Sequence, residues 1–307
     1  MVGTGRCGST LLQTMLMAHP EIRMPPETQF FEWMDPAAFG LRDPLPDGSV
    51  EEYLGRVRAG YGWTILNAGE PPLGEAYEDA VRGGLRSARD QFWWVADRLA
   101  EEPTGSLRGE KTPQHWMHME RLLVLFPDAR VIHICRDPRD VVVGLMGMDW
   151  WRGRSIRRTA RHWRKALLAA HDWQARLGPR RHRIVRYEDL VADPRGVLEG
   201  LAAFLGVAFD PAMLERSGAG GAFQAHEAGY KGRAAGPVTA SRLGRYRAVL
   251  SPFQIRVVEA AAGTGLMVRL GYQPDPEVAR PAWAVLDPAL ARVAEVLRLP
   301  AGTRPRG

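Results

Sequence analysis

Apolar residues recur at helical spacing in STLLQTMLMAHP, which predicts a helix over residues 9–19 that starts inside a glycine-rich turn. The IRMPPET that follows is a short extended segment, because its two prolines oppose helix. Residues 35–75 are rich in Gly and Pro and poorly periodic, and predict an irregular stretch with short helices. EDAVRGGLRSARDQFWWVADRLAEE (78–102) reads as helix weakened at Gly83 and Gly84. SLRGEKTP predicts a strand ending in a loop, and PQHWMHMERLLVLFP a helix. ARVIHICR (129–136) has a near-continuous apolar run, the mark of a buried strand. DPRDVVVGLM then opens a helix, with Asp137 suited to the cap and Pro138 to the first turn. IRRTARHWRKALLAAHDWQARLG is a long helix, HRIVRYEDLV a strand, and PRGVLEGLAAFLG and SPFQIRVVEAA are helices. Residues 217–240 predict a long flexible loop, and 274–307 a Pro-rich tail with one amphipathic segment.

Strands alternating with helices of ten or more residues mean βαβ units, hence an α/β fold with a central, mostly parallel sheet flanked by helices. No linker divides the chain. One domain over 1–275 is expected, with an insertion at 35–105 on the acceptor side and a tail at 276–307 carrying one helix.

Composition narrows the class. The 307 residues are 45% hydrophobic and 25% charged, as in a soluble globular protein, and hold no apolar run long enough to span a bilayer. No signal peptide is visible. Two cysteines, Cys7 and Cys135, are too few for a disulfide framework and favour a reducing compartment, so a cytoplasmic protein without a membrane anchor is expected. The net charge of +6 is uneven, with arginines crowded at 150–168 and 177–187. Most of these suit a solvated helix face; some would attract a polyanionic small molecule. No nucleic-acid module is present, and no nucleic-acid partner is expected.

The candidate chemistry begins at GTGRCGST. Gly3 and Gly8, four residues apart, have the spacing of a loop that offers backbone N–H groups to phosphate oxygens ahead of a helix N-terminus. In a nucleotide triphosphatase the second glycine is followed by Lys and then Ser or Thr. Here Ser9 and Thr10 follow, and the cation is Arg6 inside the loop, so ATP chemistry is poorly supported. The bland alternative is a glycine-rich turn capped by Ser9. Arg136 breaks the tie. It stands at the carboxyl end of a buried strand, where open α/β sheets bind ligands, and can hold a second anion. Its bland alternative is a surface arginine pairing with Asp140.

These segments together, GTGRCGST, AHPEIRMPPET, GEKTP, VIHICRDPRDVV, RYEDLV and GRYRAVLSP, resemble the sulfotransferase superfamily, closest to its tyrosylprotein-sulfotransferase-like and bacterial branch. The resemblance covers roughly residues 1–31 and 106–262, with six motifs in order. It implies a P-loop-containing nucleotide-hydrolase-like fold, 3′-phosphoadenosine 5′-phosphosulfate as co-substrate, and no metal. It further implies that Arg6 and the backbone of Cys7, Gly8, Ser9, Thr10 and Leu11 hold the 5′-phosphosulfate. Arg136 matches the 3′-phosphate arginine, whose planar fork suits phosphate. The family usually has a serine eight residues later; Gly144 stands there instead, and a backbone N–H would have to substitute. Tyr187 matches a tyrosine near the nucleotide and Arg245 a basic residue closing over the donor. The loop before Arg245 adds Lys231, Arg233 and Thr239 to a candidate lid.

For catalysis, the resemblance makes Glu27 the general base and Lys111 a cation on the transferring group, forming an electrostatic clamp with Arg6. Glu21 and Glu32 are nearby alternatives to Glu27. Pairing of Glu110 with Lys111 is disfavoured because adjacent strand residues face opposite ways. His19 and His115 are expected to be structural. The tryptophans Trp33, Trp63, Trp93, Trp94, Trp150 and Trp151 could line an acceptor pocket, although each singly is more often core. The expected acceptor is a small hydroxylated metabolite or natural product. The rival reading is an ATP-dependent small-molecule kinase, and a third is a non-catalytic nucleotide-binding protein. A strand feeding the glycine loop normally runs about five or six residues. Only Met1 and Val2 precede the loop, so a natural start several residues upstream is expected.

Overall fold

The computed structural model describes residues 1–100, 105–215 and 239–276. The chain runs β1 (Val2–Gly3), α1 (Ser9–Met17), β2 (Ile22–Arg23), α2 (Phe30–Trp33), α3 (Val50–Ala59), α4 (Tyr61–Leu66), α5 (Gly74–Arg82) and α6 (Ala88–Leu99). There follow β3 (Leu107–Arg108), α7 (Met119–Leu125), β4 (Val131–Cys135), α8 (Pro138–Met146), α9 (Ile156–Leu177), β5 (His182–Arg186), α10 (Tyr187–Ala192) and α11 (Pro194–Leu205). The last are α12 (Ala212–Glu215), α13 (Tyr246–Val249), α14 (Pro252–Ala262) and α15 (Thr264–Arg269). Two compact units emerge, one from Met1–Cys135 with Ala169–Ala240, the other from Arg136–Leu168 with the chain from Ser241 on. The candidate lid residues Lys231 and Arg233, most of the 217–240 loop and the tail beyond residue 276 lie outside the described residues. No helix among the described residues is long and apolar enough to cross a membrane.

The first unit holds two parallel sheets, ordered β1-β4-β5 and β2-β3. All five residues of β4 are buried, which is why VIHIC carries no polar alternation: both its faces are covered. Leu12, Met15 and Leu16 of α1 pack with Ile132 and Ile134 of β4, Val185 of β5, and Leu198 and Leu201 of α11. A separate cluster buries Val2, Met119 and Val131 against Trp116, Trp173 and Leu177. The register Val2↔His133 and Gly3↔Ile134 fixes where β1 ends and the glycine loop begins. At the amino ends of β1 and β4 lies a cavity of about 620 Å³, lined by Val2, Leu16, Met24, Phe92, Trp93 and Ile132. The glycine loop leaves the other end of β1, so this cavity is not where that loop could hold an anion.

Three sequence expectations change. The stretch at 35–75 is more regular than its composition suggests: α3 and α4 fall within it, divided at Gly60. With α5 and α6 they enclose a core of Phe30, Met34, Tyr53, Leu54, Tyr77 and Val95. α3 is interrupted by Gly55 and α4 has only six residues, so neither shows a clear period in the sequence. At its centre Tyr53 donates to Gln91 at 2.8 Å, so its buried hydroxyl is satisfied. HRIVRYEDLV, expected to be strand throughout, is strand only to Arg186. Tyr187 starts α10, whose first turn carries Glu188 and Asp189, acids that suit a helix N-terminus. The helix expected at 78–102 breaks between α5 and α6, at the weak Gly83–Gly84 pair, and Ser87 caps the second piece.

In the second unit, Asp137 caps α8 by accepting from the Arg139 amide, with Pro138 in the first turn, as the sequence predicts. Arg139, only 3% exposed, pairs with both Asp137 and Glu259, which fastens α8 to α14. Ser251 and Gln254 form a reciprocal capping box at the start of α14.

Candidate active site

The glycine loop sits between β1 and α1 because its backbone demands glycine. Gly8 has φ +98°, and a Cβ placed on it would lie 2.3 Å from the Tyr187 ring. A Cβ on Gly3 would lie 2.4 Å from the Ile134 carbonyl oxygen. Arg6 also adopts a positive φ, 64°. The loop thus combines left-handed residues with close packing, the geometry of a backbone anion nest. Gly8 itself occupies the cap position of α1 with no side-chain cap, so the Ser9-capped turn is not what forms. Tyr187 is buried against this loop. Cys7 is fully buried, and burial pushes its thiol up to about 11, so it is a small packing residue and not a nucleophile.

Glu27 follows β2 through Met24, Pro25 and Pro26. The buried Gln13 of α1 donates to the Pro25 carbonyl at 2.7 Å, tying this segment to the helix behind the glycine loop. Lys111 follows β3, and its side chain is fully buried. Its Nζ donates to Glu27 Oε1 at 2.5 Å, with the Glu27 side chain 12% exposed. β2 and β3 are paired in parallel, and this pairing brings Glu27 and Lys111 together from 84 residues apart. Glu110 and Lys111 lie beyond the end of β3, and their side chains take different partners, Glu110 the threonines Thr28 and Thr112 with His115, Lys111 the Glu27 carboxylate.

Glu110, which the sequence sets only against its neighbour Lys111, is a hub. Its Oε1 accepts from Thr28 Oγ1 at 3.0 Å, from the Thr28 amide at 3.3 Å and from Thr112 Oγ1 at 2.5 Å. Its Oε2 meets His115 Nδ1 at 3.1 Å. His115, in the 3₁₀ turn Pro113–His118, also faces Glu32 Oε2 through Nε2 at 3.4 Å. Glu32 is further paired with His118 at 3.4 Å. Burial alone would lower His115, but Glu110 and Glu32 outweigh it and hold its pKa at about 9. Burial would likewise raise both carboxylates; His115 outweighs it for Glu110, and His115 with His118 for Glu32, leaving each at about 2. His115 is therefore an imidazolium between two carboxylates, and Glu32 is committed to histidines. His19 is structural, accepting from the Glu21 amide at Nδ1 and facing the Ala208 carbonyl at Nε2.

In the second unit Arg136 is 7% exposed, not a surface group. It nonetheless makes the Asp140 contact of the bland alternative, Nη2 to Oδ2 at 3.4 Å, and Nη2 also donates to the Arg242 carbonyl. Trp163 Nε1 donates to the Arg136 carbonyl at 2.8 Å. Asp140, raised by burial against the pull of Arg136, accepts from the amides of Gly244 at 2.8 Å and Tyr246 at 3.0 Å. One carboxylate so joins Arg136 to the turn that carries Arg245, which is exposed. Gly144 lies within α8 and is partly exposed; Thr239 is exposed. Of the tryptophans, Trp33 is 37% exposed, Trp63, Trp93 and Trp94 pack on the core of the insertion, and Trp151 is buried.

The buried histidines make stability depend on pH in two opposed windows. His133 of β4 and His182 of β5, ring centroids 6.1 Å apart, are depressed to about 3 and about 4, first by burial and then by neighbouring histidines. Their unfolded forms bind protons below about 6.5, so their contribution is full above that pH and is lost as pH falls towards 4. His115 has the opposite sign: its contribution is full below about 6.5 and is lost as pH rises through about 9. Each is worth on the order of a few kcal/mol at its favourable end. The urea midpoint should fall as pH drops below about 6.5 and fall again as it rises towards 9; a midpoint rising steadily from pH 5 to 9 would contradict this assignment.

The sequence profile of the Sulfotransferase family matches residues 1–211, more than half of the chain, and the protein belongs to that family. It is 27% identical to the protein-tyrosine sulfotransferase of Drosophila melanogaster over 219 residues, 69% of this chain and 38% of that one. Nodulation protein NoeE of Sinorhizobium fredii is 23% identical over 314 residues, covering 93% of this chain and 68% of that one. The chain therefore spans well under half of the fly relative. Among solved structures, the sulfotransferase domain of the curacin biosynthetic pathway aligns with a TM-score of 0.64 at 20% identity, over 89% of this chain and 97% of that one. The sulfotransferase domain of a Synechococcus olefin synthase aligns with a TM-score of 0.58 at 24% identity, over 85% and 93%. These two likenesses establish the fold, a mixed α/β sulfotransferase-like architecture with a parallel sheet flanked by helices.

Proposed function

We propose that the protein moves a sulfuryl group from 3′-phosphoadenosine 5′-phosphosulfate to a hydroxyl of a small metabolite or natural product in the cytoplasm, with Glu27 as general base. The observation that carries this reading is the pair formed by Glu27 Oε1 and Lys111 Nζ at 2.5 Å, built on a wholly buried lysine. A carboxylate that takes the acceptor's proton and a cation for the charge on the transferring group are the two functions the reaction needs. The loop fits an anion: its left-handed Arg6 and Gly8, and glycines that no side chain could replace, leave backbone amides to face phosphosulfate oxygens. Arg6 and residues Cys7–Leu11 would hold the 5′ end, with Tyr187 beside them, and Arg136 the 3′-phosphate, with Arg245 and Thr239 closing over the donor. The donor supplies an activated sulfuryl group; the chain supplies its orientation, the base and the compensating charge.

The fly relative is named for protein tyrosine and the rhizobial one for nodulation. Both names are compatible with hydroxyl acceptors, and the chain's own residues favour neither. A small-molecule kinase is disfavoured by family membership and by Ser9 in place of the phosphate-gripping lysine. Thermal shift separates the two readings. 3′,5′-Bisphosphoadenosine should raise the melting temperature, and ATP with magnesium should not; the reverse pattern would favour the kinase.

A further inference from the structure

The proposed mechanism uses Glu27 and Lys111 but leaves a buried ionic cluster behind them without a task. Glu110 is adjacent in sequence to Lys111, and it binds Thr28, adjacent to Glu27, through both its amide and its hydroxyl. Thr112, on the other side of Lys111, donates to the same carboxylate and accepts from the Gln29 amide at 3.1 Å. The two segments that carry the cation Lys111 and the base Glu27 are therefore laced together one residue away from each. Four donors converge on Glu110, three on Oε1 and one on Oε2. His115 balances its charge, and Glu32 with His118 closes the cluster on the far side. Phe31 meets the His115 ring edge-on at 4.8 Å, holding it in place.

We propose that Glu110 is a positioning residue: gripped by Thr28, Thr112 and His115, it fixes the Glu27 carboxylate against Lys111. The inference rests on Glu27 being the general base. Its physical content is preorganisation. Glu27 follows two prolines and precedes Thr28, so anchoring Thr28 and the Pro25 carbonyl leaves the intervening carboxylate little freedom. A neutral threonine hydroxyl alone would be a weak anchor; one donating to a buried, charged carboxylate is a strong one.

The test is a kinetic cycle with a structural readout. Sulfuryl transfer from the donor to p-nitrophenol, or to water in its absence, is measured for Thr28→Val, Thr28→Ser, Glu27→Gln and Glu27→Gln/Thr28→Val. Thr28→Val should lower kcat roughly 10- to 100-fold, because a small misplacement of a reacting group costs about that much. Its donor KM should stay within about twofold. Thr28→Ser, which keeps the hydroxyl, should recover to within about threefold of the parent. In the Glu27→Gln background Thr28→Val should add less than about twofold, since it has no base left to misplace. In parallel, ¹⁵N spectra should show His115 with protons on both nitrogens, and Glu110→Gln should move the loss of the second proton to lower pH. Parental kcat in Thr28→Val, an undiminished effect of Thr28→Val in the Glu27→Gln background, or a neutral His115 would each overturn the proposal. Parental turnover in Glu27→Gln would instead reject the base assignment, and the positioning role with it.

Discussion

On the proposed mechanism, Glu27→Gln lowers turnover by roughly two to four powers of ten, the range a positioned general base supplies. Binding of 3′,5′-bisphosphoadenosine survives, because the glycine loop and Arg136 are untouched. The amide is nearly isosteric and keeps a hydrogen-bond acceptor, so the fold should tolerate it. It does, however, remove the charge paired with the buried Lys111. A buried cation stripped of its partner costs stability, so the variant should also melt earlier than the parent. Lost turnover with lost nucleotide binding would point to general damage; parental turnover would remove Glu27 from the chemistry.

The second large effect is at Arg136. Arg136→Ala should weaken 3′,5′-bisphosphoadenosine by roughly 10- to 150-fold, the equivalent of about 1.5–3 kcal/mol for hydrogen bonds to a charged group. 5′-AMP, which lacks the 3′-phosphate, should bind within about twofold of the parent. The comparison of two ligands in one variant matters, because Arg136 also faces the buried Asp140. Asp140 also holds the Gly244–Tyr246 turn, and a disturbance passed on through that turn would weaken both ligands equally, whereas loss of the 3′-phosphate contact weakens only one. A guanidinium has five N–H donors in a fixed fork, so the Asp140 contact serves to aim Arg136 as well as to balance it. Equal losses for the two ligands would reject the 3′-phosphate role.

How much of this was legible in the sequence follows from the range of each interaction. β4 and α8 could be read directly, since an apolar run, an Asp cap and an N-terminal proline are local signals. The glycine loop was legible as a spacing, and the structure adds the reason for Gly8, which is the ring of Tyr187 against it. The insertion was legible only as short helices without bounds, because pieces such as Tyr61–Leu66, opened by Gly60, are shorter than two turns. Nor was the helical half of RYEDLV: the strand pattern of HRIVR runs into it without a turn residue between. Glu110 was judged by its neighbour alone. Its partners Thr28 and His115 stand 82 residues before and 5 after it, and only the parallel pairing of β2 with β3 joins the first of them. The same pairing creates the Glu27–Lys111 contact: the motif resemblance singled out each residue but set Lys111 beside Arg6, not against Glu27.

The central claim, sulfuryl transfer dependent on Glu27, is tested most directly with donor carrying labelled sulfur, incubated with the parent protein and with Glu27→Gln against a panel of hydroxylated acceptors. The parent should form a labelled sulfate ester and one equivalent of 3′,5′-bisphosphoadenosine per ester, and Glu27→Gln should form neither at a comparable rate. Transfer of the γ-phosphoryl group of ATP in place of labelled sulfur, or equal ester formation by the two proteins, would contradict it.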